Sequence, residues 1–73
     1  WLFTKKGTRS YLDVSYGRGD VLVFGSESAG LPDSLLGENP ESQLRIATRP
    51  EVRSLNLSNS VAVAVFEALR QWA

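Results

Sequence analysis

The sequence predicts an α/β layered fold. Three features predict it: an uninterrupted run of β-formers, Val21-Leu22-Val23-Phe24; a long helical stretch near the carboxyl end, Ser58 to Trp72; and shorter strand-like and helix-like segments alternating around them. With 73 residues the chain forms one small domain at most. Its opening residues, Trp1-Leu2-Phe3-Thr4, are apolar and aromatic and signal a strand. They carry neither a polar leader nor an initiating methionine, so the chain reads as cut from a longer protein.

Lys5-Lys6-Gly7-Thr8 reads as a loop, Tyr11 to Tyr16 as a weak extended or turn segment, and Gly17-Arg18-Gly19-Asp20 as a turn. The run Val21 to Phe24 has no polar alternation, which suits a strand covered on both faces, as in a parallel sheet. Gly25 ends it. After a loop from Ser26 to Gly30, Pro32 suits a first helical position and Gly37 a helix terminus, which predicts a short helix over Pro32 to Leu36. Glu38 to Gln43 is polar loop, Leu44 to Ala47 a short strand, and a loop holding Pro50 follows.

In the last segment Val61, Val63 and Val65 alternate like a strand, while Val61, Val65, Leu69 and Trp72 follow helical spacing. Length decides for helix, supported by the alanines and by Glu67 to Gln71. Ser58 or Asn59 is the expected cap. Apolar residues surround the first turns, so that part is expected to be buried.

Eight basic side chains balance eight acidic ones, which removes any case from bulk charge for nucleic-acid binding. Locally, Lys5, Lys6, Arg9 and Arg18 face only Asp13 before position 19, an RNA-binding patch or a solvated face. The chain has no cysteine and no histidine, which excludes a disulfide framework and a zinc site of the usual kind; no metal is expected. Val61 to Phe66, the longest strongly apolar stretch, is far short of the roughly 20 residues that cross a bilayer. The chain reads as soluble and cytoplasmic.

Gly25-Ser26-Glu27-Ser28-Ala29-Gly30 has the glycine spacing of a phosphate loop, but Leu31 and Pro32 stand where Lys and Ser or Thr would reach phosphate and magnesium. The same stretch lacks the glycine two places before Ser28 that a serine-hydrolase elbow needs, and no histidine exists to act as base. Gly17-Arg18-Gly19 lies before a strand, not after one, and lacks a dinucleotide fingerprint's third glycine. What remains is a glycine-ended strand, where a ligand can approach backbone closely at the carboxyl edge of an open sheet. Equally, Gly25 and Gly30 shape a βα loop and Glu27 is a solvated carboxylate. Ser54-Leu55-Asn56-Leu57-Ser58-Asn59-Ser60 supplies either caps and turns or a polar ligand site before a helix.

Val21-Leu22-Val23-Phe24-Gly25-Ser26-Glu27-Ser28-Ala29-Gly30-Leu31-Pro32, then Leu44-Arg45-Ile46, then Arg53-Ser54-Leu55-Asn56-Leu57-Ser58-Asn59-Ser60-Val61-Ala62-Val63-Ala64, resembles the SpoU branch of the SPOUT methyltransferases. It looks most like the TrmL-like group of tRNA wobble-position 2'-O-methyltransferases, and the likeness covers nearly the whole chain. The resemblance implies a trefoil-knotted parallel sheet with flanking helices. Residues 1–73 would be the carboxyl-terminal part of a single domain, with the threaded chain beginning near Ile46 and the enclosing loop running from the strand at Trp1 to Thr4 onward.

It also implies that S-adenosylmethionine is held in the knot mainly by backbone of three loops: Gly25, Ser26 and Glu27; Ile46 with Ala47; and Ser54 with Leu55. Glu27, Ser54 and Asn56 are then active-site organisers, none of them the sole base. Arg53 would contact RNA or the loop, alongside Lys5, Lys6 and Arg9 as candidate RNA-binding residues. A homodimer whose active site is completed across the interface is implied as well, with tRNA as substrate. This sequence departs from the family at Ala47, where proline is usual, and in lacking the earlier arginine motif to which the family's proton removal is ascribed. The rival reading is a noncatalytic module of the same fold, used for RNA binding or dimerisation.

Overall fold

The computed structural model of the chain describes residues 1–26, 29–47 and 56–73. Four short strands among them, β1 (Leu2–Phe3), β2 (Arg9–Ser10), β3 (Val23–Phe24) and β4 (Gln43–Arg45), form a sheet in the order β2-β4-β1-β3. All three pairings are parallel. Two helices complete it, α1 (Asp33–Glu38) and α2 (Leu57–Trp72), with a 3-10 turn at Pro40–Ser42 leading into β4.

The register assigns the faces. Residues paired across parallel strands share a face, and successive residues alternate. Phe3, Phe24 and Leu44 therefore lie on one face, and Leu2, Val23 and Gln43 on the other. The first face packs on α2: Phe3, Val14, Tyr16, Leu44, Ala64 and Ala68 form the core cluster, and Phe3 stacks on Phe24 at 4.6 Å. α1 lies against the second, where the Gln43 side chain donates to the Leu36 carbonyl at 2.8 Å and Leu2 and Leu36 are both buried. The result is a helix–sheet–helix sandwich, the α/β class that the alternating elements predict.

Several details differ from the sequence reading. β3 takes only the second half of the run that predicts it: Val23 and Phe24, both half-buried, form it at the edge of the sheet, while Val21, before it, is 69% exposed. The strand near Tyr11 lies earlier, at Arg9–Ser10, and Tyr11 to Asp13 form a turn in which the Asp13 N–H donates to the Ser10 carbonyl. β4 begins one residue early and ends at Arg45, short of Ile46 and Ala47. Pro32 caps α1 instead of opening it, and Gly37 sits inside the helix. Neither Ser58 nor Asn59 caps α2: Asn56 does, its side chain accepting from the Ser58 N–H at 2.8 Å. Asn56 has the extended backbone that a cap requires.

The largest correction concerns burial. The first turns of α2 are mainly exposed, and Val61, Val65, Phe66 and Leu69 remain open at 36%, 41%, 71% and 50%. Small residues, Ala64 and Ala68, meet the sheet instead, because they let the helix backbone approach Phe3 and Leu44 closely.

α2 is pinned at its far end by a polar network. The Arg70 guanidinium forks onto the buried Glu67 carboxylate, Nε to Oε1 and Nη2 to Oε2, both at 2.8 Å. Gln71 Nε2 donates to Glu67 and to the Val14 carbonyl, while Gln71 Oε1 accepts from the Tyr16 N–H, each at 2.9 Å. Trp72 Nε1 closes the set on the Tyr16 carbonyl at 2.7 Å. Hydrogen bonds from Arg70 and Gln71 hold the Glu67 carboxyl at about 2, below its ordinary 4.5. Burial instead pushes the Tyr16 hydroxyl up to about 12, with the Glu67 charge adding to it.

Two outcomes follow from this packing. Leu44 is fully buried, so Leu44→Ala should destabilise by about 2–5 kcal/mol in urea unfolding. Glu67 is more acidic folded than unfolded, so its contribution is complete above about pH 4.5 and lost as the pH falls toward 2. The stability gap between the parent chain and Glu67→Gln, followed by thermal melts against pH, should narrow across that interval.

Candidate functional site

Because all four strands are parallel, their carboxyl ends share one edge of the sheet, and that edge is where open α/β sheets take ligands. Four connections leave it: residues 11–22 after β2, residues 4–8 after β1, Gly25 onward after β3, and Ile46 with Ala47 after β4. β1 lies between β3 and β4, so the last two connections start roughly 10 Å apart, two inter-strand spacings. That width suits a flat aromatic base with its sugar.

The β3 connection is built on missing side chains. A Cβ on Gly25 would stand 2.2 Å from the Gly30 carbonyl carbon and 2.5 Å from the Leu31 nitrogen, so the strand end can pass the returning loop only as glycine. Ser26 fastens the loop: its carbonyl accepts from the Gly30 N–H at 2.9 Å and its hydroxyl from the Ala29 N–H at 3.1 Å. Gly30 turns with φ +69°, in the left-handed region. Gly25 is half-buried and Ser26 exposed; across the edge Ile46 packs against the core and Ala47 is open.

α2 approaches the same edge. Its last turn meets Tyr16, whose ring touches Trp1 edge-on at 6.2 Å, at the amino end of β1. The helix therefore runs back against the strands and directs its first turn, with Asn56, toward their carboxyl ends. The Asn56 Oδ1 is engaged in the cap, so a contact from that side chain to a ligand would use its Nδ2 donors. Glu27, Ser54, Leu55 and Arg53, also named from the sequence, lie outside the described residues.

The basic residues are not gathered into one patch. Lys5 and Lys6 follow β1 at the carboxyl edge, and Lys6 Nζ pairs with Asp33 in the first turn of α1 at 2.7 Å, holding that carboxyl below its usual range. Arg9 points the other way, donating to the Glu41 carbonyl just before β4 and lying 5.7 Å from the Trp1 ring. Arg18 stacks over Trp72 at 5.2 Å, also at the amino end. An open groove of about 560 Å³ lies there too, between residues 12–16 and 70–72, remote from the glycine-built loop.

Gly7 and the Glu67–Gln71 network escaped the sequence reading. Glu67 and Arg70 stand three apart, a recognisable helical ion-pair spacing, but nothing local foretold that the carboxylate is buried. No helix among the described residues is long and apolar enough to cross a membrane.

Comparison with known proteins adds sharper information. The model of the SpoU rRNA Methylase family matches residues 1–66. The tRNA (cytidine(34)-2'-O)-methyltransferase of Burkholderia cenocepacia is 53% identical over 70 residues, covering 94% of this chain and 45% of that protein. Its namesake from Escherichia coli K12 is 52% identical over 69 residues, covering 93% and 44%. A solved structure concerned with the 2-OH methylation of C/U34 on tRNA superposes with a TM-score of 0.88 at 41% identity, covering 97% of this chain and 45% of its own. The chain thus spans about half the length of the curated relatives it matches.

The two glycines make opposite predictions. Gly25→Ala should break the Ser26–Gly30 hydrogen bond and speed exchange of the Gly30 amide, read by NMR. Gly37→Ala, whose new Cβ meets nothing inside α1, should stabilise the fold by about 0.5–1 kcal/mol.

Proposed function

The chain belongs to the SpoU rRNA methylase family, and on that premise we propose that it is the S-adenosylmethionine-binding, carboxyl-terminal part of an RNA 2'-O-methyltransferase acting on tRNA at the wobble position. One observation supports this reading above the others: about half of all residues are identical to tRNA (cytidine(34)-2'-O)-methyltransferases over nearly the whole chain. The geometry is compatible with it. A cofactor recognised mainly through main-chain groups needs a strand end stripped of side chains, and Gly25 leaves no room for one.

In this reading Gly25, Ser26 and Glu27 form one wall, Ile46 with Ala47 a second, and Ser54 with Leu55 a third. The half-buried Ile46 offers an apolar surface to an adenine, and backbone groups on either side offer donors and acceptors to its edge. The bound cofactor supplies an activated methyl group on a sulfonium. The protein's task is then to hold a ribose hydroxyl in line with that methyl and to receive the departing proton. Glu27, Ser54 and Asn56 orient the two partners, and Lys5, Lys6 and Arg53 contact the RNA beside the site, with Arg9, at the other end of the sheet, a contact only for RNA that extends past it. The reading includes the trefoil knot that the resemblance implies, whose threaded chain, from near Ile46 onward, runs into residues outside those described.

The protein acts in the cytoplasm as a homodimer. The exposed stripe of Val61, Val65, Phe66 and Leu69 supports the dimer, since an apolar helix face of this kind is stabilised when a second copy covers it.

The decisive test measures melting with and without S-adenosylhomocysteine, and methyl incorporation into tRNA transcript by the full-length protein. Ligand should raise the melting temperature, by an amount equivalent to about 2.7 kcal/mol at 100 times its dissociation constant. Gly25→Arg should abolish that rise, and Glu27→Ala or Asn56→Ala should abolish methyl transfer. A melt indifferent to ligand would sink the proposal. Binding without methyl transfer in the full-length protein would leave the noncatalytic module as the correct reading.

A further inference from the structure

We propose that Gly7 is a positioning residue for the second wall of the site: it sets the height of Ile46 and Ala47 by allowing the β1–β2 crossover to rest directly on the backbone of β4. The inference deepens the cofactor-binding reading above and rests on it.

The topology creates the need. β1 and β2 are neighbours in sequence, yet β4 lies between them in the sheet, with Phe3 and Arg9 both in register with Leu44. Residues 4–8 must therefore leave β1, cross β4 and begin a parallel strand at the same level. Parallel connections ordinarily take a dozen or more residues, so this one has no slack to arch over its neighbour. It is folded down tightly: the Gly7 N–H donates to the Thr4 carbonyl at 3.1 Å, and Gly7 is buried.

The contact below Gly7 is a single peptide group. A Cβ there would stand 2.9 Å from the Leu44 carbonyl carbon, 3.1 Å from its oxygen and 3.3 Å from the Arg45 nitrogen. These are backbone atoms fixed on both sides, because the same Leu44 oxygen accepts from the Thr4 N–H at 2.9 Å and the Arg45 oxygen from the Tyr11 N–H at 3.0 Å. Neither strand can yield without breaking a ladder bond. A side chain at position 7 must then lift the crossover or depress the Leu44–Arg45 peptide, and the next residue along is Ile46.

The experiment uses the full-length protein and S-adenosylhomocysteine, with calorimetric titration at a temperature where each variant is fully folded by circular dichroism. Gly7→Ala should raise the dissociation constant at least about tenfold. Glu67→Gln, which loosens the end of α2 at a network holding no β4 residue, and Gly37→Ala should leave it unchanged. A Gly7→Ala protein that binds like the parent overturns the inference, and so does a Glu67→Gln protein weakened as much. Should Gly7→Ala not fold, residue-resolved amide exchange on the parent protein decides. Ligand should slow exchange at Gly7 and Thr8 together with Ile46 and Ala47, and protection of 46–47 with none at 7–8 overturns the proposal. If the parent protein binds no ligand at all, the cofactor reading itself has failed, which the parent titration alone reveals.

Discussion

Everything in this small fold depends on the insertion of β4 between β1 and β2. Leu44 is the one large side chain fully buried among the described residues, and its backbone pairs with strands on both sides. Loss of that strand would leave β2 without a neighbour and remove the floor on which Ala64 and Ala68 pack. It would also remove the anchor for Ile46 and Ala47. Since β4 arrives late in the chain and enters between two strands already joined by a short crossover, its pairing is non-local on both sides. Contacts of that kind close large loops before they are rewarded, and they make folding slow.

Such a sheet cannot be stable unless α2 is held against it, and the hold is unusual. The helix contributes alanines to the core instead of its larger side chains, so close approach replaces bulk. Its position along its axis is fixed by the Glu67–Arg70–Gln71–Trp72 network on the 14–16 segment. A buried carboxylate would ordinarily be a liability. Here its two oxygens accept from Arg70 and Gln71, and no buried polar side-chain atom among the described residues lacks a partner. The polar network thus fixes the register of the helix end, while the apolar stripe on the outer face is left for an external surface.

The elements most legible in sequence were those with strong local signals. The carboxyl half of the β-former run, Val23–Phe24, and the long final helix stand where composition and length predict, the helix because its length outweighs the strand-like alternation of its valines. The failures share a cause. Whether Val21 is covered, whether α2 buries valines or alanines, and why Gly7 is glycine are set by strand order, which no local pattern encodes. Asn56 displaced Ser58 and Asn59 as cap for a smaller reason: asparagine caps as well as serine does, and the helix simply began one residue earlier. Of the candidate site, Gly25 and Ile46 were singled out through motif resemblance more than through chemistry. A site lined by main chain leaves few characteristic side chains to read.

The titrating groups show what these residues do not supply. A ribose hydroxyl releases its proton readily only to a group whose basicity matches the working pH. Glu67, held at about 2 by its donors, is too weak a base and is enclosed by its own network. Tyr16, pushed up to about 12 and donating to the Tyr11 carbonyl, is protonated and turned inward. The chain has no histidine to take that part in their place. What the described residues show at the carboxyl edge is a glycine-built loop, closed by the Ser26–Gly30 hydrogen bond.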